Sequence, residues 1–253
     1  MSNPCLKHLK KLEFVVTYAC TGQCKHCSQG CHPRSGVHID PRVAAETVTR
    51  VAAAYPLQTV MTFGGEPLLY PETVYAVMRE ATRLAIPRRQ VITNGYFTKD
   101  TRIMGRVATE LAACGVNDLL LSVDAFHEET VPVGAVRDFA AHLTEAGVPV
   151  RLQPAWLVSR EDDNPYNRET QRLLQSFSDM DIPVGEGNVI FPEGNALTYL
   201  SAYFAGGAPQ NPYVEDPKDI RCLSVDPHGN VLDGNLYERD VTQIMQGYQP
   251  TTV

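Results

Sequence analysis

Cys20-Thr21-Gly22-Gln23-Cys24-Lys25-His26-Cys27 follows directly on the apolar run Phe14-Val15-Val16-Thr17-Tyr18 and separates three cysteines by three and then two residues. One short loop therefore carries three thiolates, enough to fix three irons of a cubic iron-sulfur cluster and leave the fourth iron without a protein ligand. Zinc accepts mixed sulfur and nitrogen ligands, so a zinc site completed by Cys31, His26 or His32 is the competing reading. A disulfide framework fits poorly. Seven cysteines are an odd number and no secretory leader precedes them, which predicts a cytoplasmic protein.

Outward from this loop, strand and helix signals alternate. Residues 29–40 are rich in Gly, His, Pro and Ser and read as an irregular connection. Asp40-Pro41 then sets an N-cap before a first-turn proline, with Val43, Thr47, Val48 and Val51 at helical spacing behind it. Further strands are expected over 58–63, 90–93, 118–123, 148–152 and 183–191, and helices over 71–84, 101–114, 136–146 and 168–178. About six alternations at roughly thirty residues each predict βαβ units and a parallel sheet wound in one direction. The expected fold is α/β, a partial (β/α)6 TIM-like barrel over residues 1–195 with a short C-terminal extension over 196–253. Six units fall short of the eight of a closed barrel, so one side stays open.

Several polar motifs sit at the expected strand ends. Gly64-Gly65-Glu66-Pro67 follows the second strand, Thr93-Asn94-Gly95 the third, and Ser122-Val123-Asp124 the fourth, while Arg151 and Gln153 alternate with Val150 and Leu152 in the fifth. Glycines allow close backbone approach, and a glutamate offers an acceptor to an ammonium group. The cysteine spacing and the Gly-Gly-Glu-Pro motif, in this order at successive strand ends, resemble the radical S-adenosylmethionine enzymes. The resemblance implies a 4Fe-4S cluster on Cys20, Cys24 and Cys27, whose open iron chelates the methionine end of S-adenosyl-L-methionine. It also implies that Gly64, Gly65 and Glu66 orient the methionine, that Thr93, Asn94, Ser122 and Asp124 contact the rest of the cofactor, and that Gln153 lies near the adenosine. The family often has Tyr or Phe before its third cysteine. Here that place is held by His26, which keeps a planar ring for the adenine edge. In the family, an electron from the cluster cleaves the cofactor and the 5'-deoxyadenosyl radical takes a hydrogen atom from substrate. An external donor of the flavodoxin or ferredoxin type is implied, because no flavin or second cluster motif is visible.

Asp124-Ala125-Phe126-His127-Glu128-Glu129 crowds four ionisable groups behind the fourth strand, so Asp124, His127 and Glu128 are the catalytic candidates, against a solvated loop as the alternative. Trp156 and Tyr18 read as cavity lining or as core. In the tail, Cys222 to Asp226 and His228 to Leu232 predict a hairpin across Pro-His-Gly-Asn, and a short helix is expected near 240–246. This tail resembles a reduced SPASM/twitch-like extension of the peptide-modifying branch and holds one cysteine, which excludes an auxiliary cluster bound by tail thiolates alone. A peptide substrate is thus implied. A glycyl-radical-enzyme activase, a small-molecule radical tailoring enzyme and a non-enzymatic iron-sulfur or zinc module are the alternatives. Cys114 reads as packing, whereas Cys5 and Cys31 have no assigned role. Over 253 residues the formal charge is -7, which disfavours nucleic acid as a partner despite Arg83, Arg88 and Arg89, and no apolar run approaches the ~20 residues of a membrane span.

Overall fold

Alternation of side chains along the strands decides which face of the sheet is packed. In β1 (Lys11–Val15) Leu12 and Phe14 are buried, whereas Lys11 and Glu13 are half-buried on the other face. The computed structural model describes residues 3–34 and 36–250; Ser35, within the connection expected over 29–40, lies outside the described residues. β1 pairs in parallel with β2 (Thr59–Phe63), and β3 (Arg88–Thr93), β4 (Asp118–Ser122) and β5 (Val150–Gln153) follow in order. Leu12, Phe14, Val60, Val91, Leu119 and Leu152 join the core formed with the helices. On the opposite face Gln90 Nε2 and Arg151 Nε donate to the Asp118 carboxylate at 2.7 and 2.9 Å, which makes the inner wall polar.

The covering helices are α1 (Pro41–Ala54), α2 (Pro71–Arg83), α3 (Thr101–Ala113) and, after the single turn α4 (Ala125–Glu128), α5 (Val133–Glu145). Asp40 caps α1 as its sequence predicts, accepting from the N–H groups of Arg42 and Val43, and Asp100 caps α3. Among the described residues no helix is long and apolar enough to cross a membrane.

Two expectations need correction. Residues 183–191 do not supply the sixth strand of the main sheet. Only β7 (Asn188–Val189) forms there, paired with β6 (Ala155–Trp156) in a separate two-stranded sheet, and Val184 makes one bridge to Leu152. Pro183, Gly185 and Gly187 interrupt the run, and Gly187 has a φ of +82°, which no extended strand accommodates. The sixth strand comes instead from the tail: after α6 (Pro165–Gln175) and α7 (Gly194–Tyr199), β8 (Cys222–Val225) pairs in parallel with β1. Its register sets Leu223 beside Leu12 and Val225 beside Phe14, so both strands bury the same face. The hairpin is also displaced. It joins β9 (Asn230–Val231) to β10 (Gly234–Asn235), while 226–230 is a tight loop whose Asp226 carboxylate accepts from the backbone of His228 and Asn230. The terminal helix α8 (Val241–Gly247) is present with Asp240 as its cap.

The result is a partial barrel whose edge strands, β5 and β8, do not pair with each other.

Candidate active site

The carboxyl ends of the strands and the loop after β1 enclose a cavity of about 200 Å³. Cys20, Cys24 and Cys27 line it, whereas Cys31 of the same loop is exposed and does not. The loop is carried on the turn after β2. Gly65 N–H donates to the Thr17 carbonyl and Glu66 N–H to that of Ala19, both at 2.8 Å. A Cβ at Gly65 would fall 2.1 Å from the Ala19 oxygen, and one at Gly64 2.5 Å from that of Thr17, so the chain's own backbone occupies the space the glycines leave. Gly64, with a φ of +141°, also takes a conformation that side chains oppose.

Glu66 is fully buried beneath this turn and, unlike Gly64 and Gly65, does not itself line the cavity. It accepts from Leu68 N–H at 2.9 Å, the Thr93 hydroxyl at 2.7 Å and Asn94 N–H at 2.8 Å. Burial pushes its pKa up to about 7, against the pull of those hydrogen bonds. The Asn94 amide reaches across to Thr21 Oγ1 at 3.2 Å and Cys20 Sγ at 3.5 Å. Burial, then the Glu66 charge, raises the Cys20 thiol to about 12, and burial raises Cys27. A metal bound by these thiols would displace protons from this loop.

Across the cavity, Asp124 is used entirely by its own chain. One oxygen accepts from the N–H groups of Phe126 and His127, capping α4; the other lies 2.8 Å from His127 Nδ1 and 3.2 Å from Ala155 N. Burial is the largest single influence on both and opposes charge, but the partner's charge, the hydrogen bonds between them and the neighbouring His26 and Cys24 together outweigh it. The Asp124 pKa falls to about 2 and that of His127 stands well above the ordinary imidazole value. His127 reaches the cavity and Glu128 does not line it, being turned towards Arg172 at 3.3 Å. His26 packs on Phe126, with ring centroids 5.0 Å apart, and the loss of water around its ring lowers its pKa to about 4. Thr93, Asn94, Ser122 and Gln153 all line the cavity. Trp156 and Tyr18 do not: the Trp156 indole N–H donates to the Glu186 carbonyl, and Tyr18 sits beside His228.

Other contacts are absent from the sequence reading. Asn188 lines the cavity from β7, and Asn195, at the start of α7, donates from its backbone to Cys27 O at 2.9 Å and from its side chain to Cys24 O at 3.0 Å. His32, by contrast, is named by the zinc reading of the sequence; it lines the cavity with Nε2 3.0 Å from Cys27 Sγ. No spacing rule connects residues 168 positions apart, and Asn195 has no motif around it to mark it.

Polar atoms left over in the buried wall test what the cavity suits. Among the described residues, His26 Nδ1, Thr62 Oγ1 and Gln153 Oε1 are the buried side-chain atoms without a partner, and His26 and Gln153 both line the cavity. Three convergent thiols beside two unpartnered polar groups fit a sulfur-ligated metal centre next to a polar organic ligand. Ligand atoms of Cys24, His26 and His127 also lie within 4.8 Å of one another, a set that a single zinc ion accepts.

A parallel α/β barrel with a thiol-rich loop after its first strand and its cavity at the strand carboxyl ends has the layout of a barrel enzyme. Residues 14–152, more than half of the chain, match the Radical SAM superfamily, and the chain belongs to it. SuiB of Streptococcus suis, solved bound to S-adenosylmethionine, is similar with a TM-score of 0.59 and 14% identity, over 94% of this chain and 65% of that one. The present chain thus spans just under two thirds of SuiB. Native anSMEcpe with bound AdoMet gives 0.56 and 15% over 92% of this chain and 76% of that one, and BtrN in complex with AdoMet and 2-DOIA gives 0.50 and 16% over 94% and 82%. At these identities the likeness is one of fold. No curated protein sequence matches the chain.

Proposed function

We propose that Cys20, Cys24 and Cys27 hold a 4Fe-4S cluster and that the rest of the cavity binds S-adenosyl-L-methionine for radical chemistry on a peptide. The observation that carries the reading is the convergence of three loop thiols and two unpartnered polar groups on one cavity. Bound there, the cluster would deliver one electron to the cofactor, whose cleavage yields the radical that takes hydrogen from substrate. The chain's own residues then bind and orient. Glu66, whose oxygens are held by Leu68, Thr93 and Asn94 just behind the cavity wall, supplies the negative charge for the methionine ammonium group. Gly64 and Gly65 let the chain before Cys20 lie directly on this turn, which sets the cysteine loop against the cavity. Gln153 and His26 offer their unpartnered atoms to the nucleoside, and Asn94 and Ser122 serve the remaining polar groups. Asp124 acts by fixing His127 as a cation at the cavity wall.

Support for a peptide comes from two sides. SuiB has been solved bound to the precursor peptide SuiA and anSMEcpe with a Cp18Cys peptide. The sheet is also not closed between β5 and β8, where residues 183–185 bond to the β5 edge at Leu152, and an unclosed barrel suits an extended substrate. The likeness to BtrN, solved with AdoMet and 2-DOIA, supports a small-molecule tailoring enzyme as the second reading. Electrons would come from a flavodoxin or ferredoxin.

The test is anaerobic reconstitution followed by dithionite and S-adenosylmethionine. The expected product is 5'-deoxyadenosine, and a Cys24→Ala variant should form none. Metal analysis accompanies it: about four irons per chain are expected, and one tightly held zinc in their place would overturn the assignment.

A further inference from the structure

Four cysteines, not three, lie between residues 20 and 31. A cluster held by all four would have no open iron, and S-adenosylmethionine could not reach the metal. Something must therefore decide which three turn inward. Asn195 touches the loop with every polar atom it has for the purpose. Its backbone N–H donates to Cys27 O at 2.9 Å, its Nδ2 donates to Cys24 O at 3.0 Å, and its Oδ1 lies 3.7 Å from the Cys31 thiol. It is 6% exposed, so its side-chain bond to Cys24 O is shielded from water, whereas Cys31 is exposed.

Its neighbour explains how it gets so close. Gly194 has a φ of +53°, and a Cβ there would fall 2.4 Å from Ser28 O and 2.6 Å from Cys27 O. Only glycine lets the tail backbone lie flat on the loop between Cys27 and Cys31. Beneath it Ala196, Leu200, Phe204 and Ile190 pack with Cys24 in a small apolar cluster of their own. The clamp is thus built from the far end of the chain onto the backbone of the loop whose Cys20, Cys24 and Cys27 line the cavity.

We propose that Asn195 is a positioning residue that sorts the loop cysteines: it holds the Cys24 and Cys27 backbone so that their sulfurs face the cavity, and it retains the Cys31 thiol outside. Without it Cys31 turns inward, loses its proton to solvent and binds the fourth iron in place of the cofactor. This inference rests on the cluster assignment made above.

The experiment compares wild type, Asn195→Ala, and Asn195→Ala/Cys31→Ala after anaerobic reconstitution. The reduced cluster is followed by electron paramagnetic resonance as S-adenosylmethionine is titrated in. In wild type the cofactor changes the spectrum. In Asn195→Ala its apparent affinity should fall by about tenfold or more, the lower range for residues that orient metal ligands from outside. Removing Cys31 in the same background should restore the response. A single variant that responds like wild type overturns the proposal, and so does a double variant no better than the single. Because both variants carry the same Asn195→Ala change, misfolding would afflict both and count as the second of these outcomes. A wild type that takes up no cluster sinks the underlying assignment instead.

Discussion

Glu66 is caught between burial, which favours its neutral form, and three hydrogen-bond donors, which favour the carboxylate. Burial wins, and the folded pKa of about 7 lies above the ordinary value of 4.5. The consequence for stability has a definite sign. Between pH 4.5 and 7 the folded chain keeps a proton that the unfolded chain has released. Stability from this group is therefore complete below pH 4.5 and is lost as pH rises through 7, by an amount on the order of 3 kcal/mol. Urea unfolding of the cluster-free protein at pH 5 and pH 8 measures it. Wild type should lose more stability across that interval than Glu66→Gln, in which the group cannot titrate; equal losses would contradict the assignment. Asp124 and His127 contribute to both proteins and cancel in the comparison. A docked ammonium group would supply the missing counter-charge, which is why a site for one is best built around a buried, half-frustrated carboxylate.

At the scale of the element, the same punctuation was read in one place and overlooked in another. Asp40-Pro41 announces α1, and Asn164-Pro165 announces α6 by the same chemistry, yet apolar periodicity places that helix over 168–178, three residues late. Asn164 is more deeply buried than Asp40 and also ties the preceding loop to the helix. Its Oδ1 accepts from Asn167 N–H at 2.9 Å, and its Nδ2 donates to Leu157 O and to Asp162. Asn164→Ala should cost about 1–2 kcal/mol, the loss of a cap and little more, since Asn167 Nδ2 also donates to Leu157 O and leaves that carbonyl satisfied. A urea midpoint lowered by that amount with an unchanged slope is the expected reading. What the sequence made legible were features whose cause is local: the cysteine loop, the glycine turn after β2, the caps, and the strands from 59 to 153. The sixth strand was misread because its identity is not local. Residues 183–191 have strand-like composition but carry Pro183, Gly185 and Gly187, whereas β8 is only four residues long and is selected by Leu12 and Phe14 some 210 positions earlier. Asn195 was invisible for the same reason, since its meaning lies wholly in carbonyls of another segment.

For the molecule as a whole, the tail is bound into the barrel it follows. β8 lies against β1, α8 packs on α1, and the Asn3 side chain donates to the carbonyls of Met245 and Tyr248, which ties the two ends of the described chain together. Beyond Asp219, the side chains of Ile220, Leu223, Val225, Val231, Val241, Ile244 and Met245 are buried in the main core. At roughly 1.5–3 kcal/mol for each such side chain, their burial is worth on the order of 10–20 kcal/mol. The net stability of a domain is about 5–15 kcal/mol, so the remainder is not expected to stand without them. A chain ended at Asp219 should show no cooperative thermal transition by circular dichroism, although every cysteine of the loop and the whole Gly64–Glu66 turn are still present in it. A single sharp transition near the full-length temperature would instead make the tail an independent appendage. The full-length chain should melt in one step, because the strand that completes the sheet and the residue that clamps the cysteine loop both come from the segment after residue 193.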